Sequence, residues 1–280
     1  MAKNPTIAFL GAGSMAEAMI AGIVATEQTP PNHIIVTNRS NTERLVELHN
    51  KYGIQGIKQE HLSFDKIDVL ILAMKPKHAQ TVLQSLKHHI RPNQLILSVL
   101  AGISTAYIEN YLHEDQQVIR VMPNTSAMIQ ESATAISAGI YTTANNVAYA
   151  QTLLQCLGEV YIIDENHMDI FTGIAGSGPA YFYYLMEHIE AVGKEAGLDS
   201  EVVRNIGAQT ILGAAKMIMQ QNDTPAELRE KVTSPNGTTA AGLAALKKHG
   251  GGRAIAQAVK GAAKRSQEIS AQLRKETKTV

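Results

Sequence analysis

Two short stretches of this 280-residue chain carry residue types whose spacing could do chemistry. The first is "FLGAGSMAEAMIAGI", which sets Gly11, Gly13 and Ala16 in a G-x-G-x-x-A pattern. Glycine at the first place permits a tight turn, and glycine at the second lets a pyrophosphate approach the backbone. Alanine at the third allows helix and strand to pack closely. Free N–H groups at the start of the following helix would face the phosphates, with the helix dipole assisting. The second stretch is "EKVTSPNGTTAAGL", where Thr233, Ser234, Pro235, Asn236, Gly237, Thr238 and Thr239 gather hydroxyls and turn formers at a helix restart. A helix cap needs one hydroxyl, and Thr238 or Thr239 could fill that role. Four hydroxyls at a loop-to-helix start point further, to an anion-and-hydroxyl site facing the nucleotide domain.

The residues after the second apolar run bear on which dinucleotide is bound. An Asp or Glu about 20 residues beyond the glycine turn would hold a ribose 2′-hydroxyl. This chain offers "VTNRS" there, and no acid comes before Glu43. Arg39 among small polar neighbours suits a 2′-phosphate, so NADP(H) is favoured and NAD(H) stays open. Further strand ends read "AMKP" (73–76), "SVLAG" (98–102) and "MPNT" (122–125). Lys75 is either a neighbour of the cofactor ribose or a solvated lysine. Pro123 and Asn124 are site residues or plain turn formers. No metal-ligand spacing, nucleophile elbow or phosphate-binding G-K-[ST] motif accompanies them.

These residues need elements to position them. Apolar runs at 6–11, 33–38, 68–74, 94–100 and 117–122 alternate with helical stretches near 14–26, 41–50, 77–88, 104–112 and 146–157. Weaker strand signals follow at 133–139 and 159–164. Unalternated Val, Ile and Leu runs are strands buried on both faces, and their alternation with helices predicts βαβ units and a mainly parallel, doubly wound sheet. Beyond Asp164 the strand signals stop. Helices are expected near 166–196, 199–221, 225–232, 238–248 and 251–274, with a basic tail at 274–278 that frays. The division is therefore an α/β Rossmann-type domain over 1–164 and an all-helical domain over 165–280.

Composition removes several classes of partner. Twenty-five basic residues balance 25 acidic ones, which leaves no net charge for a nucleic-acid or anionic-membrane surface. With four Phe and no Trp there is little for base stacking. No apolar run approaches the roughly 20 residues that cross a bilayer. The single cysteine, Cys156, excludes an intrachain disulfide framework and reads as a core residue in a reducing, cytoplasmic setting.

Taken together, "FLGAGSMAEA", "AMKP", "VIRVMPNT", "TGIAGSGPAYF", "GAQTILGAAKM" and "LREKVTSPNGTTAAGLAAL" resemble the pyrroline-5-carboxylate reductase family through nearly the whole chain. The resemblance implies a Rossmann domain followed by a helical dimerisation domain, in a homodimer or homodecamer. It implies NAD(P)H-dependent reduction of a small molecule, 1-pyrroline-5-carboxylate, to L-proline. Thr239 matches the threonine whose hydroxyl meets the ring nitrogen, and the N–H groups of Gly237, Thr238 and Thr239 would hold the carboxylate. Ser234 supports that loop, and Ser177 contributes from the "GSGP" turn. On the cofactor side, Leu10, Gly11, Ala12, Gly13, Ser14 and Met15 match the pyrophosphate turn, and Asn38 and Arg39 match the 2′-phosphate pocket. Ala73, Met74, Lys75 and Pro76, with Val99, Leu100 and Ala101, match the nicotinamide-ribose side.

Two positions depart from the family pattern. Asn236-Gly237 stands where Gly-Gly is usual, and Gln59-Glu60 where an Asn near the adenosine ribose is common. Other readings belong to different classes. A β-hydroxyacid-type dehydrogenase would need a lysine acid–base group, for which Lys216 is the one tempting position. A related imine reductase would act on another ring, and a nucleotide-binding regulatory protein would have no turnover.

Overall fold

The computed structural model describes residues 4–277. Eight strands form one sheet: β1 (Ile7–Leu10), β2 (Ile34–Asn38), β3 (Gln55–Lys58), β4 (Val69–Leu72), β5 (Leu95–Ser98), β6 (Gln117–Met122), β7 (Ser132–Ala138) and β8 (Gly158–Ile162). Their spatial order is 3-2-1-4-5-6-7-8, and the first six run parallel. This is the doubly wound arrangement, with its change of winding direction between β1 and β4. Helices α1 (Ser14–Ala25), α2 (Thr42–Tyr52), α3 (Ala79–Leu86), α4 (Thr105–Tyr111) and α5 (Ala144–Leu154) connect the strands. Only a short 3-10 turn (Thr125–Ile129) links β6 to β7. So short a link cannot make a parallel crossover, and β7 accordingly lies antiparallel to β6.

Two cores flank the sheet because successive strand residues point to opposite faces. Ile7 and Phe9 of β1 pack with Met19, Ile20 and Ile23 of α1 on one face. Ala8 and Leu10 pack with Leu83 and Leu86 of α3 on the other. Cys156 is buried in the first core, and burial pushes its thiol up to about 12, so it behaves as a small apolar residue.

The later helices are α6 (Met168–Phe171), α7 (Gly178–Glu195), α8 (Ser200–Gln220), α9 (Pro225–Lys231), α10 (Thr238–Lys248) and α11 (Gly251–Thr277). The single helix expected over 166–196 is interrupted. A π-helical turn, Thr172–Gly176, inserts between α6 and α7, closed by Ser177 N–H donating to the Thr172 carbonyl at 2.8 Å. The expected basic tail at 274–278 is helical in backbone to Thr277, and residue 278 lies outside the described residues.

By internal packing the chain forms two units. One reaches Ser177 and takes up the chain again from Gly261; the other is Gly178–Lys260. The sheet itself stops at Ile162, just before the boundary expected at 164, while the segment to Ser177 packs with the sheet. In the helical unit, α7 and α8 form a hairpin. Gly193 lies so close to α8 that an added Cβ would stand 2.5 Å from Val203 Cγ2. Val203 is buried, yet Phe182, Tyr183, Val192, Ile206 and Met219 are each more than half exposed. So much open apolar surface on one small unit marks an association surface. Among the described residues, no helix is long and apolar enough to cross a membrane, and no group of three His, Cys, Asp or Glu could hold a metal.

Candidate functional site

The carboxyl ends of β1, β2 and β4 are locked together around Gly11. Its N–H donates to the Thr37 carbonyl at 3.1 Å, and Ala73 N–H donates to the Leu10 carbonyl at 2.9 Å. Gly11 has φ +117, and an added Cβ would lie 2.5 Å from the Ala73 carbonyl oxygen, so no other residue fits. Gly13 is different. An added Cβ there would meet nothing within 4 Å, so its missing side chain leaves open space at the start of α1. Gly13 is also the N-cap and makes no side-chain cap, which leaves the first N–H groups of the helix without intrahelical partners.

A cavity of about 930 Å³ opens beside this turn. Of the expected cofactor residues, Leu10, Gly11, Ala12, Gly13, Ser14, Asn38, Arg39, Ala73, Met74 and Lys75 line it. Met15 and Val99 pack against the first core instead, and Leu100 is buried in the second. Pro76 opens a 3-10 turn, Pro76–His78, off the cavity wall. Ala101 borders a separate cavity of about 300 Å³ that it shares with Met122, Thr172 and Ser177. Arg39, Gln59 and Val82 line both the large cavity and a neighbouring one of about 440 Å³, whose floor includes Leu62 and Phe64.

Charge is distributed unevenly around the large cavity. Arg39 and Lys75 are exposed and make no ion pair among the described residues. Arg44 pairs with Glu17 and with Glu47, and Lys51 approaches Glu17 at 2.8 Å. Hydrogen bonds from Lys51, Arg44 and Tyr52 pull the Glu17 carboxyl down to about 2, so it is ionised throughout the working range. Glu17 and Arg44 line this cavity too, although neither belongs to the site residues that the sequence motifs mark. The available signal was an acid in the first turn of the glycine-motif helix, with two cations seven residues apart on the next helix.

The Ser177 turn is held from the end of β6. Asn124 Nδ2 donates to the Ala175 carbonyl at 3.1 Å, while Asn124 Oδ1 accepts the Ser126 N–H at 3.0 Å. Asn124 is thus a turn former that also reaches the π-helical turn. Such insertions cluster at functional places in helices.

In the helical unit, the hydroxyl-rich loop resolves into distinct jobs. Thr233 Oγ1 donates to the Arg229 carbonyl at 2.6 Å and closes α9. Gly237 is the N-cap of α10 and makes no side-chain cap, so neither Thr238 nor Thr239 caps the helix. Gly237 N–H donates to the Ser234 carbonyl at 3.1 Å, which removes it from the three N–H groups expected for a carboxylate. The N–H groups of Thr238 and Thr239 remain, in the first turn where no upstream carbonyl reaches them. Both threonines are exposed, and their hydroxyls have no partner among the described residues. The start of α10 therefore carries two open N–H groups with two hydroxyls beside them.

A relative from Bacillus subtilis (strain 168), pyrroline-5-carboxylate reductase 1, is 63% identical over 96% of this chain and 91% of its own length. The chain belongs to the pyrroline-5-carboxylate reductase family. The family model described as pyrroline-5-carboxylate reductase dimerisation matches residues 165–269, and the model described as NADP oxidoreductase, coenzyme F420-dependent, matches residues 6–102. Among solved structures, a pyrroline-5-carboxylate reductase from Coxiella burnetii superposes with a TM-score of 0.86 at 29% identity, covering 95% of this chain and 99% of that one. The Plasmodium falciparum pyrroline carboxylate reductase with NADP bound gives a TM-score of 0.86 at 25% identity, covering 96% and 100%. The NADP oxidoreductase model and the NADP-bound relative support binding of a nicotinamide nucleotide, and the dimerisation model supports oligomerisation.

Proposed function

We propose that this protein is a cytoplasmic enzyme of amino-acid synthesis that reduces 1-pyrroline-5-carboxylate to L-proline with NADPH. The observation that carries the reaction is the 63% identity to a pyrroline-5-carboxylate reductase over 96% of the chain. When bound, the reduced nicotinamide supplies the hydride that the imine carbon accepts. The turn around Gly11 and Gly13 fits its pyrophosphate, because space is open at Gly13 and unpartnered N–H groups start α1.

NADPH over NADH is supported by the end of β2. Asn38 and Arg39 stand at the cavity wall, and no carboxylate is placed there to accept from a ribose 2′-hydroxyl. Arg39 has its guanidinium free for a bidentate phosphate contact. The adenosine end extends past Gln59 toward the neighbouring cavity, where Leu62 and Phe64 offer an apolar floor. Ala73, Met74 and Lys75 flank the ribose on the nicotinamide side, with Pro76, Val99, Leu100 and Ala101 behind them.

On the substrate side, the N–H groups of Thr238 and Thr239 hold the carboxylate at the start of α10. Thr239 Oγ1 meets the ring nitrogen. Ser234 fixes the loop through its carbonyl, and Ser177, at the end of the π-helical turn, belongs to the other unit. A protonated imine is already electrophilic, so positioning replaces strong acid catalysis, which fits a chain in which no histidine is buried among the described residues. The assembly is a homodimer through the helical unit, or such dimers gathered into a decamer, which a mass measurement in solution separates. Expression in a bacterium lacking its own reductase for this imine tests the function. Growth without proline is the expected result, and continued proline dependence at normal protein levels contradicts it.

A further inference from the structure

Arg44 lines the large cavity but belongs to no part of the glycine motif. It sits in the first turn of α2, where its backbone N–H donates to Asn41 Oδ1 at 2.9 Å. Asn41 N–H in turn donates to Asn38 Oδ1 at 3.0 Å, and Ser40 N–H to the same oxygen at 3.1 Å. The side chain reaches in another direction. Its Nε–H donates to the Ala12 carbonyl at 3.2 Å, inside the turn between Gly11 and Gly13. One residue therefore joins the pyrophosphate turn to the loop that follows β2.

That contact has a stereochemical consequence. A trans peptide sets its C=O and N–H in opposite directions. Holding the Ala12 carbonyl therefore fixes the direction of the Gly13 N–H, one of the groups that a pyrophosphate meets. The electrostatics argue against direct phosphate binding by Arg44 itself. Glu17 and Glu47 engage its guanidinium, and with Lys51 also on Glu17 the four charges cancel. Arg39, exposed and unpaired, keeps its charge for a phosphate.

We propose that Arg44 is a positioning residue for the bound dinucleotide, coupling the pyrophosphate turn to the loop that meets the ribose 2′-substituent without itself reading that substituent. This rests on the large cavity being the nucleotide site. It divides two arginines on one wall: Arg39 selects the phosphate, and Arg44 sets the shape that any nicotinamide dinucleotide needs.

Direct binding tests this without turnover. Dissociation constants for NADPH and NADH are measured by calorimetry on the wild type and on Arg44→Gln, Arg44→Lys and Arg39→Ala. Loss of a charge-assisted hydrogen bond network is worth about tenfold, so both Arg44 variants are expected to weaken both nucleotides about tenfold and leave their ratio unchanged. Arg39→Ala changes the ratio. Glu17→Gln, milder because it keeps the side-chain shape, is expected to weaken both nucleotides equally as well, and it carries the test should the Arg44 variants fail to fold. Weakening confined to NADPH would make Arg44 a phosphate ligand and overturn the proposal. Unchanged constants alongside a lowered melting temperature overturn it too, leaving a purely structural ion pair. A wild type that binds neither nucleotide removes the cavity assignment itself.

Discussion

The N–H of Gly237 donates to the carbonyl of Ser234 at 3.1 Å, closing a four-residue turn across Pro235 and Asn236. Asn236 has φ +59, in the left-handed region that this place in the turn demands. Asparagine visits that region more readily than most residues, which is how the turn forms without the usual Gly-Gly. An added Cβ on Gly237 would lie 2.5 Å from Ser234 Oγ and 3.2 Å from the Ser234 carbonyl oxygen, so a larger residue there would make the serine hydroxyl turn away.

Asn236→Gly should leave both the melting temperature and the Michaelis constant for the imine nearly unchanged. Asn236→Val forces a β-branched residue into the left-handed region at a cost of about 1–2 kcal/mol. It should lower the melting temperature and raise that Michaelis constant together. Equal behaviour of the two variants would mean the turn does not set the substrate loop.

Thr239→Val keeps the side-chain shape and removes the hydroxyl. Because Gly237 and not a threonine is the N-cap of α10, the melting temperature should hold. Turnover should fall on the order of a hundredfold, the usual loss of one donor at a reacting centre. A matching loss of stability would return the hydroxyl to a structural role.

Arg39→Ala should raise the Michaelis constant for NADPH by tenfold or more, while that for NADH moves little, since only the 2′-phosphate is lost as a partner. Steady-state kinetics with each cofactor decides. An equal rise with both would take Arg39 out of the phosphate pocket.

Glu17 gives a pH dependence with a defined sign. Its carboxyl lies at about 2 in the folded chain against an ordinary value of 4.5. The stability it contributes is therefore fully present above 4.5 and lost as pH falls toward 2. Chemical denaturation of wild type and Glu17→Gln should show a stability gap that is constant above that window and closes within it. A gap that persists to pH 2 contradicts the assignment.

Legibility of the fold followed the strength of local signals. Runs such as "DVLILAM" are buried on both faces and mark their strands outright. β3, "QGIK", carries no local signal because an edge strand lacks a sustained apolar run, and its place is set by pairing with β2. The π-helical turn was hidden because Thr172–Gly176 differs from ordinary helix by one hydrogen-bond step. The glycine turn was legible because all its constraints are local. The contact between Arg44 and Ala12 joins two elements 32 residues apart, which no motif spacing encodes. In the hydroxyl-rich loop, composition marks an unusual cluster, but only the backbone shows which N–H groups stay open.

The most direct measurement follows NADPH oxidation by the purified protein with 1-pyrroline-5-carboxylate as acceptor, with a six-membered imine carboxylate run alongside. NADPH consumption matched one-to-one by L-proline, faster with the five-membered ring than with the six, is the expected result. No turnover of the five-membered imine with either NADPH or NADH would contradict it.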